Sequence, residues 1–353
     1  MNIGWILVEW MILKEHKLIF ILWGLNKMQK IAVIGLGNIA TRHRRNIRIL
    51  HPKAQIYALS ASERVLDELV SDCDGYLPNI AAVAAEKVDM AIVASPSSFH
   101  LKHSKQLIEA GIPTLIEKPV TATAEEAAEL MEIASKYDTP LAVGYCLRYL
   151  PSARILKEML ANEDAGVVYN VNIDIGQYLP DWRPSKSYKE SVSASKKLGG
   201  GALLELSHEL DYAQWLFGEL DLISSVLRSS DELEMDVESI ADIMAANSKG
   251  SIVNIHLDFL QKKPWRQCHI IGSKGRVVWD LVRNEIIFYS GESTRIIYSD
   301  PEWNKNGMYL DMLKDFAEKI CRRKNQCVSL ESSAKIVGLI DKIKNVSQFY
   351  GTK

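Results

Sequence analysis

The chain has 353 residues, 47% of them hydrophobic, and its 42 Lys and Arg nearly balance its 44 Asp and Glu, giving a formal net charge of −2. That length accommodates two domains, each able to bury a core. The near-neutral charge excludes a nucleic-acid binder, which would carry a basic excess, and the apolar content excludes a disordered chain. Five scattered cysteines (Cys73, Cys146, Cys268, Cys321 and Cys327) show no zinc spacing. They argue against a disulfide scaffold and for a reducing, cytoplasmic compartment, with no metal expected.

Residues 1–27 are strongly apolar and hold three of the eight Trp. A membrane span needs about 20 uninterrupted apolar residues, and Glu9, Lys14, Glu15, His16 and Lys17 break this run. The basic start and small-residue cleavage site of a signal peptide are also missing. Met28 stands just before a strand-like segment. It is therefore the expected natural start, with residues 1–28 a non-family extension. The alternative is an amphipathic segment that covers an apolar surface or touches a membrane.

Lys30–Ile34 reads as a central parallel strand. Gly35-Leu36-Gly37-Asn38-Ile39-Ala40 follows at once and fits G-x-G-x-x-G/A. In that pattern the first glycine makes the turn, the second lets the backbone approach a pyrophosphate, and the small third residue packs the helix on the strand. The N–H groups of Asn38 and Ile39 then open a helix facing the phosphates. A second strand, Gln55–Leu59, ends at Ser60 rather than at the Asp or Glu that usually accepts from the ribose 2′-OH of NAD. Ser60 with Arg64 or Arg42 suits a 2′-phosphate, so NADP is favoured over NAD, although Glu63 is close enough to serve NAD. Residues 88–94 form the next strand, stopped by Ser95-Pro96 where the cofactor is expected, with His100 beyond. Residues 101–110 read as a helix. His100 and His103 lie one turn apart there, and solvated or capping roles are favoured over a metal pair. Thr114–Ile116, a helix over 124–137 capped by Thr123, and a strand over 141–146 complete a doubly wound parallel sheet.

Glu117-Lys118-Pro119 follows the Thr114–Ile116 strand, and in such sheets chemistry sits beyond the strands' carboxyl ends. After residue 152 the pattern changes. A helix over 152–160 precedes strands over 167–177, 222–228, 239–246, 251–259, 268–271, 276–279 and 285–289, which form a mostly antiparallel sheet. Helices follow over 306–320 and 332–346. Gly199-Gly200-Gly201 permits close backbone approach to a ligand or cofactor. An amphipathic helix then runs to Gly218 with His208 on its first turns. A histidine titrating near neutrality can take a hydroxyl proton as a hydride leaves the same carbon. Trp182, Tyr178 and Tyr188 offer aromatic faces for stacking a ligand, and Arg183 offers a bidentate anion contact.

The GLGNIA turn, the strand ending in Ser-Pro, EKP and the later GGG…H…D pattern together resemble the glucose–fructose oxidoreductase/inositol dehydrogenase/rhizopine-catabolism (Gfo/Idh/MocA) family over about residues 29 to 350. The resemblance implies a dinucleotide-binding Rossmann domain over 29–148. It also implies a substrate-binding and oligomerising α/β domain over 149–353, whose last helix packs back on the first domain. It implies that Lys118 points at nicotinamide and substrate, that Glu117 and Pro119 shape the turn, that Arg183 reaches the cofactor, and that Arg148 faces the cleft. Asp211 joins the expected substrate contacts. The family's Asp four residues before the histidine is Leu204 here; Glu205 is the expected replacement, since i and i+3 share a helix face. The activity implied is hydride transfer between nicotinamide and a sugar carbon, with Lys118, His208 and Glu205 catalytic, in a homodimer or homotetramer. GGGALLELSHELDY with YLPDWRP resembles the subgroup of bacterial surface-glycan pathways. The alternatives are an NAD-dependent glycosidase of the same fold and a non-catalytic dinucleotide-binding regulator.

Overall fold

The computed structural model describes residues 28–64, 68–184 and 187–350; the expected extension over residues 1–27 lies outside them. The first half alternates β1 (Lys30–Ile34), α1 (Asn38–Leu50), β2 (Gln55–Leu59), β3 (Gly75–Tyr76), α2 (Ile80–Ala85), β4 (Met90–Val93), α3 (His100–Glu109), β5 (Thr114–Ile116), α4 (Ala124–Ser135) and β6 (Leu141–Val143). The strands form one parallel sheet in the order β3-β2-β1-β4-β5-β6. Strands β4, β5 and β6 are buried along their whole length, as apolar runs covered on both faces must be. Thr123 caps α4 as its sequence predicts, with Oγ1 accepting from Glu126 N at 3.2 Å. The strand order reverses between β1 and β4, which opens a crevice at their carboxyl ends.

The second half holds α5 (Pro151–Ala161), β7 (Val168–Gly176), α6 (Ala202–Glu205), α7 (His208–Phe217), β8 (Leu220–Arg228), β9 (Ile240–Asn247), β10 (Ile252–Asp258), β11 (Trp265–Gly272), β12 (Gly275–Asp280), β13 (Glu285–Ser290), β14 (Ser293–Ser299), α8 (Gly307–Ile320), α9 (Leu330–Val346) and β15 (Gln348–Tyr350). Its sheet runs β14-β13-β12-β11-β7-β10-β9-β8-β15 and is largely antiparallel, with β7–β10 and β8–β15 the parallel pairs. Strands β3, β14 and β15 and the short helix α2 were not expected from sequence. Side chains alternate across the sheet. Val171, Ile173, Ile255, Leu257, Ile270 and Val277 are buried, while Tyr169, Ile223, Met244, Ile271 and Ile296 stay exposed on the strands. Fully buried Trp279 donates from Nε1 to Ser152 Oγ at 2.9 Å and meets the Tyr212 ring edge-on. This locks the sheet to α5 and α7. Helix α9 packs on α4 and against β8, so it touches the helix layer of one sheet and a strand of the other. Among the described residues no helix is long and apolar enough to cross a membrane.

Candidate active site

The carboxyl ends of β1, β4, β5 and β6 and the segment around α6 and α7 enclose a cleft of about 290 Å³. Gly35 through Ile39 form one wall, and Lys118, Glu205, His208, Arg183 and Tyr309 reach it from elsewhere in the chain.

The wall is shaped by backbone sterics. Gly35 has φ +122°, and a Cβ there would lie 2.3 Å from the Ala94 carbonyl oxygen, so only glycine fits. At Gly37 a Cβ would meet nothing within 4 Å, so that position opens onto the cleft. Gly37 is also the N-cap of α1 and supplies no side-chain cap, and the first turn carries no acidic residue. The exposed amides and the positive end of the helix dipole therefore face open space with no acid on the helix's own first turn to occupy them. These features fit a dinucleotide pyrophosphate, which Gly35, Gly37, Asn38 and Ile39 would hold. At the tip of β2, Ser60 is buried with its Oγ 3.3 Å from Ser62 Oγ. Arg64 is exposed, and its carbonyl accepts from Tyr76 OH. Ala61 between them lines the cleft. Glu63 lies 3.5 Å from Lys102 Nζ. Arg42 stacks over the Tyr309 ring, 4.6 Å from its centroid.

Glu117 is buried and takes a 2.6 Å hydrogen bond from His43 Nε2 on α1, and its Oε2 accepts the Lys118 amide at 3.1 Å. Burial pushes its carboxyl up, but the His43 bond and the charges of His43 and Lys118 outweigh burial and hold it below the usual value. The anchored carboxylate fixes the turn, whose Lys118–Pro119 bond is cis. Lys118 Nζ donates to the Glu205 main-chain carbonyl at 2.7 Å.

That contact coincides with a break in the expected helix. The chain forms two helices, α6 and α7, because Glu209 N bonds Leu206 O at 3.2 Å rather than Glu205 O. Glu205 and His208 thus do not share one helix face as predicted, although both line the cleft. The break frees the Glu205 carbonyl for the lysine. The Glu205 carboxylate instead accepts from Ser193 Oγ at 3.1 Å. His208 opens α7, and its Nδ1 is buried without a hydrogen-bond partner among the described residues. Burial first, then the nearby Lys118 and Arg266 charges, hold its imidazole well below the ordinary value. Among the described residues no carboxylate bonds it: Leu204 is buried and apolar, and Glu209 is spent in a two-point pair with Arg266 at 2.6 and 3.0 Å.

Several expected site residues lie elsewhere. His100 does not line the cleft. Its ring nitrogens contact the Ser95 carbonyl at 2.8 Å and the Pro119 carbonyl at 2.9 Å, bracing the two loops behind the wall formed by Ser95 and Pro96. His103 is buried as well, its Nδ1 3.0 Å from Ser95 Oγ, so neither histidine is solvated or capping. Arg148 and Asp211 do not face the cleft. They pair through two contacts at 2.6 and 2.9 Å, with Arg148 also donating to Ser332 on α9. A carboxylate as buried as Asp211 requires such a cation. Arg148→Ala is expected to lower stability by about 3–5 kcal/mol, the cost of leaving a buried charge unpaired. A urea midpoint measures this, with substrate KM unchanged in the folded fraction.

The glycine triplet packs against protein rather than ligand. A Cβ at Gly199 would lie 2.1 Å from Ser97 Oγ, at Gly200 2.3 Å from the Val192 carbonyl oxygen, and at Gly201 2.4 Å from Glu238 Oε1. Trp182 and Tyr188 line an adjoining cavity of about 260 Å³ that shares Arg183, Val192 and Ser193 with the cleft. Tyr178 lines neither cavity; its hydroxyl bonds Glu232 at 2.8 Å and its ring lies under Lys262. Sequence reasoning missed His43, Ser193, Cys146 and Tyr309, which reach the site from distant segments without any local motif. It also missed a group on the second sheet, where the parallel register sets His256 beside Asp174. Ligand atoms of Asp174, His256 and Asp258 lie within 4.8 Å of one another. His256 contacts Asp242 at 2.6 Å and Asp258 at 3.0 Å, and these hydrogen bonds outweigh burial and raise it to about 9.

A glycine-rich turn at the strand-order reversal of a parallel sheet, capped by a second α/β sheet, defines a two-domain protein of the NAD-binding Rossmann class. Residues 29–145 match the Oxidoreductase family, NAD-binding Rossmann fold (GFO_IDH_MocA), and residues 153–278 match the GFO/IDH/MocA C-terminal domain. The chain belongs to the Gfo/Idh/MocA family. It is 30% identical over 138 residues to the rhizopine catabolism protein MocA of Rhizobium meliloti, covering 39% of this chain and 40% of that protein. It is 23% identical over 307 residues to myo-inositol 2-dehydrogenase of Thermotoga maritima, covering 82% and 88%. The first of these matches thus spans about two fifths of its relative. Among solved structures, a levoglucosan dehydrogenase in complex with NADH superposes with a TM-score of 0.77 at 17% identity, over 90% of this chain and 96% of that one. This likeness is one of fold.

Proposed function

We propose that the protein is an NAD(P)-dependent dehydrogenase acting on a hydroxyl or keto carbon of a sugar or sugar derivative. The observation that carries this is the meeting of Lys118 and His208 in the same cleft as the Gly35–Ile39 turn. The bound dinucleotide supplies the hydride acceptor or donor. In the oxidative direction His208, held neutral, accepts the proton of the substrate hydroxyl. Lys118 donates to the same oxygen and stabilises its developing negative charge, positioned by the Glu205 carbonyl. Glu117 keeps the turn in place through His43. The Glu205 carboxylate, bonded to Ser193, orients the far wall.

The cavity carrying Trp182, Arg183 and Tyr188 extends the cleft and has room for a substituent beyond the reacting ring. Its arginine suits an acidic group, as on the sugars of bacterial surface glycans. The exposed apolar residues of the second sheet support a homodimer or homotetramer.

The Ser60 and Ser62 hydroxyls, Arg64, and Ser60 rather than Asp or Glu directly after β2 favour NADP over NAD. Titration with NADH and NADPH, followed by nicotinamide fluorescence, is expected to show NADPH binding about tenfold tighter, as one charge-assisted contact would give. Tighter NADH would assign Glu63 to the ribose instead. Binding of neither, with no dinucleotide released on denaturation, would overturn the dehydrogenase reading.

A further inference from the structure

A cavity of about 570 Å³ lies between α5, α7 and the segment leading into α9, and shares no lining residue with the active-site cleft. Arg148, Arg154 and Lys157 all line it, beside Trp215 and Tyr149. We propose that this cavity binds a phosphate-bearing small metabolite through Arg154 and Lys157.

The charge arrangement points to an anion. Arg154 and Lys157 stand three apart on α5 and so share a helix face. Neither has an acidic partner among the described residues. Arg154 Nε donates to the Arg148 carbonyl at 3.4 Å, and its guanidinium lies 5.1 Å from the Tyr149 ring centroid. Lys157 donates to the Trp215 carbonyl and lies 5.0 Å from that ring's centroid. The nearby acids are engaged. Asp211 is held at two points by Arg148. Asp315 accepts from Tyr149 OH at 2.7 Å and from the Gln326 amide at 2.9 Å. The carboxylate lining the cavity, Glu158, is exposed to solvent. Burial, then the like charge of Arg148, keeps the Lys157 ammonium below its ordinary value. The cluster thus bears a repulsion that a bound anion would relieve.

Two uncompensated cations match a phosphate monoester, which carries about −1.5 to −2 at neutral pH, better than a single carboxylate. The volume is several times that of a phosphate group, so the ligand carries an organic body, which the edges of Trp215 and Tyr149 would contact. Trp215, which lines the cavity, sits seven residues beyond His208 on α7, so the site lies about two helix turns from the proposed base.

The test is calorimetry on the full chain, with NADPH present to fill the glycine-rich turn and ionic strength fixed with KCl. The probes are glycerol 3-phosphate and orthophosphate. One saturable site is expected, tighter for glycerol 3-phosphate. Arg154→Gln and Lys157→Gln should each weaken it about tenfold, Lys157→Arg should retain it, and dinucleotide affinity should not change. Equal affinity for the two probes would reduce the site to one for free phosphate and overturn the organic ligand. No saturable binding, or binding undiminished in both glutamine variants, would overturn the site itself. Because the two cavities are separate, the titration can also be run without dinucleotide, and its outcome does not depend on the dehydrogenase reading.

Discussion

Lys118→Ala is expected to lower turnover by about 10²–10³-fold, the usual loss on removing one aimed donor from a site that stabilises developing charge. Dinucleotide affinity should stay within about twofold, because the phosphate wall is built by the Gly35–Ile39 turn and α1, not by the lysine. Steady-state kinetics and fluorescence titration on the same preparation separate the two effects. Folding should survive, since the lysine is half-buried and its ammonium bonds a carbonyl rather than a buried acid. The freed Glu205 carbonyl faces the cleft, where solvent can replace the lost donor. Lys118→Arg tests position against charge. The guanidinium keeps the charge but is planar and longer, so a positioning role predicts that it rescues little activity. Turnover unchanged in Lys118→Ala would remove the lysine from the chemistry.

The site's local parts were readable in the sequence, and its long-range parts were not. The turn from β1 into α1 is written in six consecutive residues, and the Thr123 cap in four, so pattern alone located both. Lys118 was found through the family resemblance of EKP combined with the glycine-rich turn; its place at a strand's carboxyl end was the local sign. Other features depend on partners far along the chain. His43 gains meaning only when α1 brings it to Glu117, 74 positions away. The split between α6 and α7 has no helix breaker in Leu206-Ser207; the lysine that takes the freed carbonyl lies 87 positions away. Arg148 and Asp211 read as ligand contacts because the family resemblance placed their segments at the cleft, yet burial makes them partners of each other. The glycine triplet failed in the same way: the pattern showed that side chains were excluded there, but not that Ser97, Val192 and Glu238 exclude them. Strand β14 escaped because its first four residues are exposed and show no alternation of burial.

His208→Asn should lower turnover by about 10²–10⁴-fold, the range for loss of a general base, and should also change the pH profile. In the wild type the imidazole is depressed well below its ordinary value of 6.5 by burial, Lys118 and Arg266. It is therefore neutral and able to accept a proton throughout the neutral range. The acid limb of kcat/KM for oxidation should fall below pH 6.5, not near or above it, and should vanish in His208→Asn. The same depression affects stability. A group whose folded pKa is lowered contributes stability that is present above its unfolded value and lost as pH falls towards the folded one. Acidification below about 6.5 should thus erode both activity and stability in the wild type. The two losses separate on returning to neutral pH: protonation of the base reverses at once, whereas activity lost to unfolding returns at the refolding rate. His208→Asn should lose the kinetic limb and its own share of the stability slope, because asparagine does not titrate; the share of buried His100 and His103, whose imidazoles burial also holds low, should remain. A variant that lost activity but kept the acid limb would assign that limb to another group and leave His208 a packing residue against the Tyr145 ring, which it meets edge-on at 5.6 Å.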